Sequence, residues 1–338
     1  MKKKEVLVTG GGGYIGSVLV PYLLKSNYKV TVIDRFFFGL NYKIHKNLRV
    51  IKKDVQSLDL SYFRNIDCVI DLVAIANDVS GDYFKEQTIK TNFFSRFNTA
   101  KLAKKSGVRQ YILPSSASIY GFKPNHILVN EETKPNPLTH YSINNLKAEN
   151  EILNLVSSKF NVNIMRQGTI FGFSPRIRLD LVVNNFVYSY LNFNEVKILR
   201  NGKQFRPFLH IKDTSRFMHF LMQNYSERYN GQIYNIGDES NCLSIMQIKK
   251  KFDLIVNKKI KYKWYGEPDH RSYNLSFKKL KETGFKCKYD IEYGIKELMY
   301  KLKNYQSSDI NYTLKWYKNL NQWNEILNNV TIKNKVFI

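Results

Sequence analysis

A serine and a tyrosine are the residues of this sequence best placed to do chemistry. Ser116 follows the apolar run Tyr111-Ile112-Leu113 and opens Ser116-Ala117-Ser118-Ile119-Tyr120-Gly121. Tyr141 opens an expected helix that runs through Glu149. A phenol can exchange a proton with a substrate hydroxyl or carbonyl, and a serine hydroxyl can steady the same oxygen. Beside a nicotinamide, such a pair makes a hydride-transfer site, because the cofactor itself carries the hydride. Arginines cluster later in the chain, at Arg176, Arg178, Arg206 and Arg271. Guanidinium forks suit a diphosphate. Cys68, Cys242 and Cys287 are far apart and form no metal-spaced pair, so no metal site is expected.

These side chains need a frame, and the stretch Val6-Leu7-Val8-Thr9-Gly10-Gly11-Gly12-Gly13-Tyr14-Ile15-Gly16 provides its start. The apolar run reads as a buried strand, the glycines as a tight turn, and the residues from Tyr14 onward as a helix. Gly10 allows a turn conformation that a side chain would oppose. Gly13 leaves room for a pyrophosphate at the backbone, and Gly16 lets helix and strand approach closely. The helix N-terminus would face the phosphates. Asp34 closes the next strand, Lys29 to Ile33, where an acid can bind the adenosine ribose hydroxyls. That placement predicts NAD rather than NADP, with Arg35 as a neighbour. Further apolar runs, Arg49–Lys52 and Cys68–Val73, alternate with a helix expected over Phe84–Ser106. The alternation predicts an α/β fold, a doubly wound parallel sheet of Rossmann type with right-handed crossovers. Thr9, Asp34, Asp54, Ala74 and Ser116 all fall at carboxyl ends of strands, where ligands of such sheets bind.

After Phe171-Gly172 the loops lengthen. We expect a smaller, interleaved C-terminal substrate domain over 173–207 and 239–338. The Rossmann domain would take 1–172 and about 208–238, since Phe208 to Gly237 again looks like sheet and helix. The tail from Asn304 carries Trp316 and Trp323 and is expected to pack on the rest.

The 338 residues carry a formal net charge of +25. Lysines and arginines are spread along the whole chain, which favours a solvated basic surface over nucleic-acid binding. No stretch approaches a membrane span. Three cysteines without a signal peptide predict reduced thiols in the cytoplasm.

Taken together and in order, these motifs resemble the extended short-chain dehydrogenase/reductases, the nucleotide-sugar epimerase/dehydratase family. The glycine motif, Asp54-Val55, Leu72-Val73-Ala74, Thr91-Asn92 and Ser116…Tyr120-Gly121 carry the first half of the resemblance. Met165-Arg166, Phe171-Gly172, Arg206-Pro207…His210-Ile211-Lys212-Asp213 and Asp269-His270-Arg271 carry the second. The segment from Phe171 to Leu181 is similar to a branch that acts on sugars of bacterial surface polysaccharides, including GDP-heptose dehydrogenase-like members. The resemblance implies NAD held by Gly10, Gly13, Tyr14, Ile15, Gly16, Asp34, Arg35, Asp54, Val55, Leu72, Ala74 and Asn92. It implies catalysis by Ser116, Tyr141 and the residue at 145. It implies a nucleotide-diphospho-sugar held by Thr169, Arg176, Arg178, Asn184, Arg206 and Arg271, oxidised or reduced at C4. It also implies a homodimer through the helices near 84–106 and 141–159, whose apolar residues include Phe93, Phe94, Phe97, Ile152, Leu153 and Val156. Dehydratases of this kind carry Asp-Glu where this chain has Ala117-Ser118, which disfavours water elimination.

One position departs from the family's Tyr-x-x-x-Lys pattern: Asn145 stands where the lysine belongs, while Glu149 keeps its register. Lys147 lies about 240° round the helix and roughly 9 Å along it from Tyr141, so it faces elsewhere. The family's lysine holds the nicotinamide ribose and lowers the tyrosine pKa. Asn145 could keep hydrogen bonds to the ribose but supplies no charge. With a phenol near its reference pKa of about 10, about one molecule in a thousand is phenolate at pH 7. Three readings stay open: a low-activity or repurposed member, an enzyme with another device, or an engineered trap. The same residue makes a non-catalytic NAD- and nucleotide-sugar-binding protein the alternative. The expectation is binding with slow turnover at neutral pH.

Overall fold

The computed structural model describes residues 4–124, 127–267 and 272–322, together with short strands at 332–333 and 336–337. Seven strands form the main sheet: β1 (Glu5–Thr9), β2 (Lys29–Asp34), β3 (Leu48–Lys52), β4 (Cys68–Asp71), β5 (Gln110–Ser116), β6 (Asn161–Gln167) and β7 (Gln232–Ile236). Their order is β7-β6-β5-β4-β1-β2-β3, and every neighbouring pair is parallel. Parallel strands need crossovers, and these place helices on both faces. The strands are therefore buried on both sides and read as continuous apolar runs. Val6, Val8, Val32, Ile70, Ile112 and Met165 face one layer with Leu19, Val20 and Leu23 of α1 (Gly16–Lys25). Leu7, Ile33, Val69, Leu113 and Ile164 face the other, against Ala100, Ala103, Ala148 and Ile152.

The region expected as one helix over 84–106 is a composite. An α-turn at Lys85–Thr88 passes into a π-turn at Ile89–Ser95, then into α3 (Arg96–Lys105), with α2 (Asp78–Tyr83) just before it. Gly107 ends it at φ +79°, and Lys104 and Lys105 lie in the last turn, as charge and cap rules dictate. The helix α4 (His140–Leu153) starts with a capping box between Thr139 and Ser142.

Residues 205–210 form one strand, of which only 208–210 were expected in the Rossmann sheet. This strand does not join the main sheet; it pairs parallel with Thr169–Phe171 and antiparallel with Cys242–Ser244 in a separate three-stranded sheet. The helix Ile211–Gln223 and β7 then return to the main layer, where Phe217, Met218 and Leu221 join the core under α1. A second core, built from Val183, Phe186, Val187, Phe208, Ile248, Phe252, Ile295 and Leu298, fills the smaller region. The described part of the tail is packed too: α5 (Thr313–Gln322) walls the cleft at the carboxyl end of the sheet, with Trp316 donating its indole N–H to the Phe37 carbonyl at 2.6 Å. Trp323 lies outside the described residues. Among those described, no helix is long and apolar enough to cross a membrane.

Candidate functional site

A cleft opens at the carboxyl ends of the strands, beside the point where the order reverses between β1 and β4. It has two lobes, of about 780 Å³ and about 260 Å³, which share Gly10, Gly13, Phe38, Leu72, Ala74 and Tyr317. Gly10 adopts φ +70°, and a Cβ there would meet the Leu72 backbone at 2.7 Å. At Gly13 the nearest atom to an added Cβ is the Gly10 carbonyl oxygen at 3.3 Å, so this backbone edge stays open to a ligand.

The smaller lobe is lined by Asp34, Arg35, Asp54 and Val55. The Asp34 carboxylate accepts the N–H of Gly12 at 2.9 Å and of Phe36 at 2.6 Å, which fixes its direction. Burial raises its pKa, against the lowering effect of those two hydrogen bonds. Arg35 donates to Asp54 at 3.2 Å, so this guanidinium is engaged at the rim. Tyr14, Ile15 and Gly16 line the larger lobe. Asn92 does not reach the cleft. Fully buried, it accepts the Ile75 N–H at 2.8 Å and donates to the Ile75 carbonyl at 3.1 Å, bracing the loop after β4.

The larger lobe brings together Ser116, Ser118, Tyr141, Thr169, Arg176, Arg178 and Arg206. Ser116 Oγ accepts the Ser118 N–H at 3.1 Å and donates to Ser118 Oγ at 2.9 Å, capping the turn at the end of β5. Tyr141 rides on the first turn of α4, where α2 crosses so closely that a Cβ on Gly81 would meet Tyr141 Cβ at 2.8 Å. Arg178 grips Asp180 through two hydrogen bonds of 3.2 and 2.6 Å. Arg176 stacks 3.8 Å from the Phe38 ring centroid, and its Nε is buried without a partner. Burial, reinforced by nearby Arg178, brings its pKa down to about 10. Arg206 lies 5.4 Å from the Tyr273 ring centroid. A desolvated guanidinium in the cleft wall favours an anionic neighbour.

Two expected substrate residues are placed differently. Asn184 is buried beneath the cleft, accepting the Gly172 N–H and donating to the Tyr14 hydroxyl and the Arg178 carbonyl, each at 3.0 Å. It pins the loop and does not line the cleft. Arg271 lies outside the described residues.

The position at 145 brings the principal surprise. Asn145 is 1% exposed and does not line the cleft; Arg96 does. Arg96 Nη1 donates to Asn145 Oδ1 at 2.8 Å and its Nε to the Val73 carbonyl at 2.7 Å. A cation therefore stands beside the residue from which the sequence predicted charge to be missing. The other residues that sequence reasoning missed are Phe38 and the face of α5 bearing Thr313, Tyr317 and Lys318, which walls the cleft. Aromatic residues in the tail were the available signal.

The sequence model of the NAD dependent epimerase/dehydratase family matches residues 6–237. A Methanocaldococcus jannaschii relative, provisionally named a UDP-glucose 4-epimerase, is 25% identical over 316 residues, 88% of this chain and 98% of its own length. UDP-glucuronic acid decarboxylase 1 of Arabidopsis thaliana is 31% identical over 235 residues, 66% of this chain. The chain spans about half the length of that decarboxylase, 53%. The solved UDP-glucuronic acid 4-epimerase of Bacillus cereus, in complex with UDP-glucuronic acid and NAD, has a TM-score of 0.79 at 23% identity and covers 88% of this chain and 99% of its own. That likeness is one of fold.

Proposed function

The chain belongs to the NAD-dependent epimerase/dehydratase family, and from that premise we propose that it oxidises and reduces a uridine-diphosphate sugar at C4, as an epimerase or a dehydrogenase/ketoreductase. The observation that carries the reading is the convergence of Ser116 and Tyr141 on a cleft that also holds Arg176, Arg178 and Arg206. The sugar diphosphate lies against the arginines, with Thr169 beside it. Tyr141, acting as the phenolate, takes the proton of the C4 hydroxyl and becomes the phenol, and Ser116 Oγ steadies that oxygen as charge develops on it. The open Gly13 edge and the directed Asp34 carboxylate fit NAD, which supplies hydride acceptance when bound. Ala117 is fully buried and Ser118 lines the cleft, so the turn after β5 offers no carboxylate pair for dehydration. The C4 position and the uridine base draw support from the relatives' names. The setting, surface-polysaccharide synthesis in the cytoplasm, rests on the resemblance of Phe171–Leu181. A homodimer is part of the same reading.

The test is incubation with NAD and a panel of UDP-glucose, UDP-N-acetylglucosamine and UDP-glucuronic acid, with chromatographic separation of C4 epimers. Tyr141→Phe serves as the blank. Dehydrated or decarboxylated products, or bound sugars that never turn over, would refute it; the last outcome would establish the non-catalytic alternative.

A further inference from the structure

We infer that Arg96 supplies the working positive charge beside Tyr141 and that Asn145 is its positioning residue. This rests on the reading above that Tyr141 exchanges the substrate proton.

Arg96 comes directly after the π-turn Ile89–Ser95 and is only 3% exposed, yet it lines the same lobe as Ser116 and Tyr141. Two of its three nitrogens are fixed by Val73 and Asn145. The third, Nη2, makes no hydrogen bond to the described residues. Asn145 stands one turn after Tyr141 on α4, on the same face of the helix. Its Oδ1 is used by Arg96, and its Nδ2 is buried without a partner.

A buried guanidinium is costly unless an anion compensates it. No described carboxylate pairs directly with Arg96. Asp71, a buried carboxylate of the sheet, is engaged by the Thr9 hydroxyl at 2.6 Å, the Val73 N–H at 3.2 Å and the Tyr111 hydroxyl at 2.5 Å. Those donors are neutral and leave the Asp71 charge in place; in this reading the rest of the compensation comes from the cleft that Arg96 and Tyr141 both line, as negative charge developing on the Tyr141 oxygen or an acceptor on bound cofactor. The other charges around Tyr141 do not take this role. Arg178, which interacts electrostatically with Tyr141, is closed upon Asp180, while Asp78 and Asp82 of α2 are taken up by the Thr139 hydroxyl and the His140 N–H. His140, next in the chain, offers its backbone there, and exposed Lys147 points away.

Arg96 and Asn145 thus behave as a matched pair. A lysine at 145 would bury two cations side by side, so Asn145→Lys alone should not improve the site. Combined with Arg96→Met it should.

The test needs no sugar. The NADH complexes of the parent, R96M, R96K, N145K and R96M/N145K are titrated by ultraviolet difference absorbance. Because the chain has 23 tyrosines, each signal is taken against the same variant carrying Tyr141→Phe. Calorimetry gives NADH affinity. R96M should raise the Tyr141 midpoint by about one pH unit and weaken NADH about tenfold. R96K should retain most of both. R96M/N145K should recover the midpoint, while N145K alone should not lower it. A folded R96M with unmoved midpoint and affinity overturns the inference, as does a midpoint that follows R178M but not R96M. If R96M does not fold, failure of R96M/N145K to recover the midpoint overturns it. Failure of the UDP-sugar panel would sink the proposed function without moving these readouts.

Discussion

Asp34 points its carboxylate across the Gly12 N–H into the smaller lobe, with Arg35 drawn off to Asp54. A 2′-hydroxyl can donate to that carboxylate, whereas a 2′-phosphate would be repelled by it. NAD(H) should therefore bind more tightly than NADP(H), and Asp34→Ala should shrink the ratio about tenfold, or about 1.4 kcal/mol. Calorimetry with both cofactors measures this, and equal affinities in the parent would sink it. A second residue governs acid stability. Glu297 is partly desolvated, which opposes ionisation, but hydrogen bonds from His210, Lys212 and the Phe173 N–H outweigh that and hold its pKa down to about 2. A carboxyl lowered by folding stabilises above its unfolded pKa of about 4.3 and loses that contribution as pH falls toward the folded value. Allowing for its contact with solvent, the contribution is roughly 1–2 kcal/mol. Glu297→Gln should lower the thermal midpoint at pH 7 and narrow its difference from the parent near pH 3.

At the scale of elements, the π-turn deserves its own perturbation. Asn92 sits within it and ties the loop after β4 to the helix through its two bonds to Ile75. Asn92→Ala leaves both backbone groups unsatisfied and should cost about 1–3 kcal/mol, with NADH binding weakened more than sugar binding. Equal weakening of both would argue against a loop-specific role. The parallel sheet and the glycine turn were legible in the sequence because both leave local patterns: apolar runs buried on two faces, and a residue with φ of +70° that must lack a side chain. The Arg96–Asn145 contact was not, since it joins residues 49 apart on different helices and depends on the π-turn between them. Asn184 and Asn92 were misplaced for a related reason. A motif marks a residue as needed near a site without saying whether it touches the ligand or the loop that does.

For the whole molecule, the proposed dimer face is narrower than the apolar residues suggested. Ile152 is fully buried in the monomer core, whereas Phe94 is 57% exposed and its ring tilts against Phe93, which stacks with Phe97. The native mass at micromolar concentration should be that of a dimer, and Phe94→Asp should shift it to the monomer; a monomeric parent would refute this. The net charge of +25 is a solvated surface in this reading, so retention on DNA should be weak and vanish with added salt. The tail has a consequence of another kind. Trp316 is anchored to Phe37, a residue of the wall of the smaller lobe. Indole emission overlaps the absorption of reduced nicotinamide, so the chain carries its own optical reporter over the cleft. NADH should dim tryptophan emission and acquire sensitised light of its own, NAD should do neither, and Trp316→Phe should remove most of the transfer. The redox state of the bound cofactor could then be followed in real time, in unlabelled protein, through a single side chain of its last described helix.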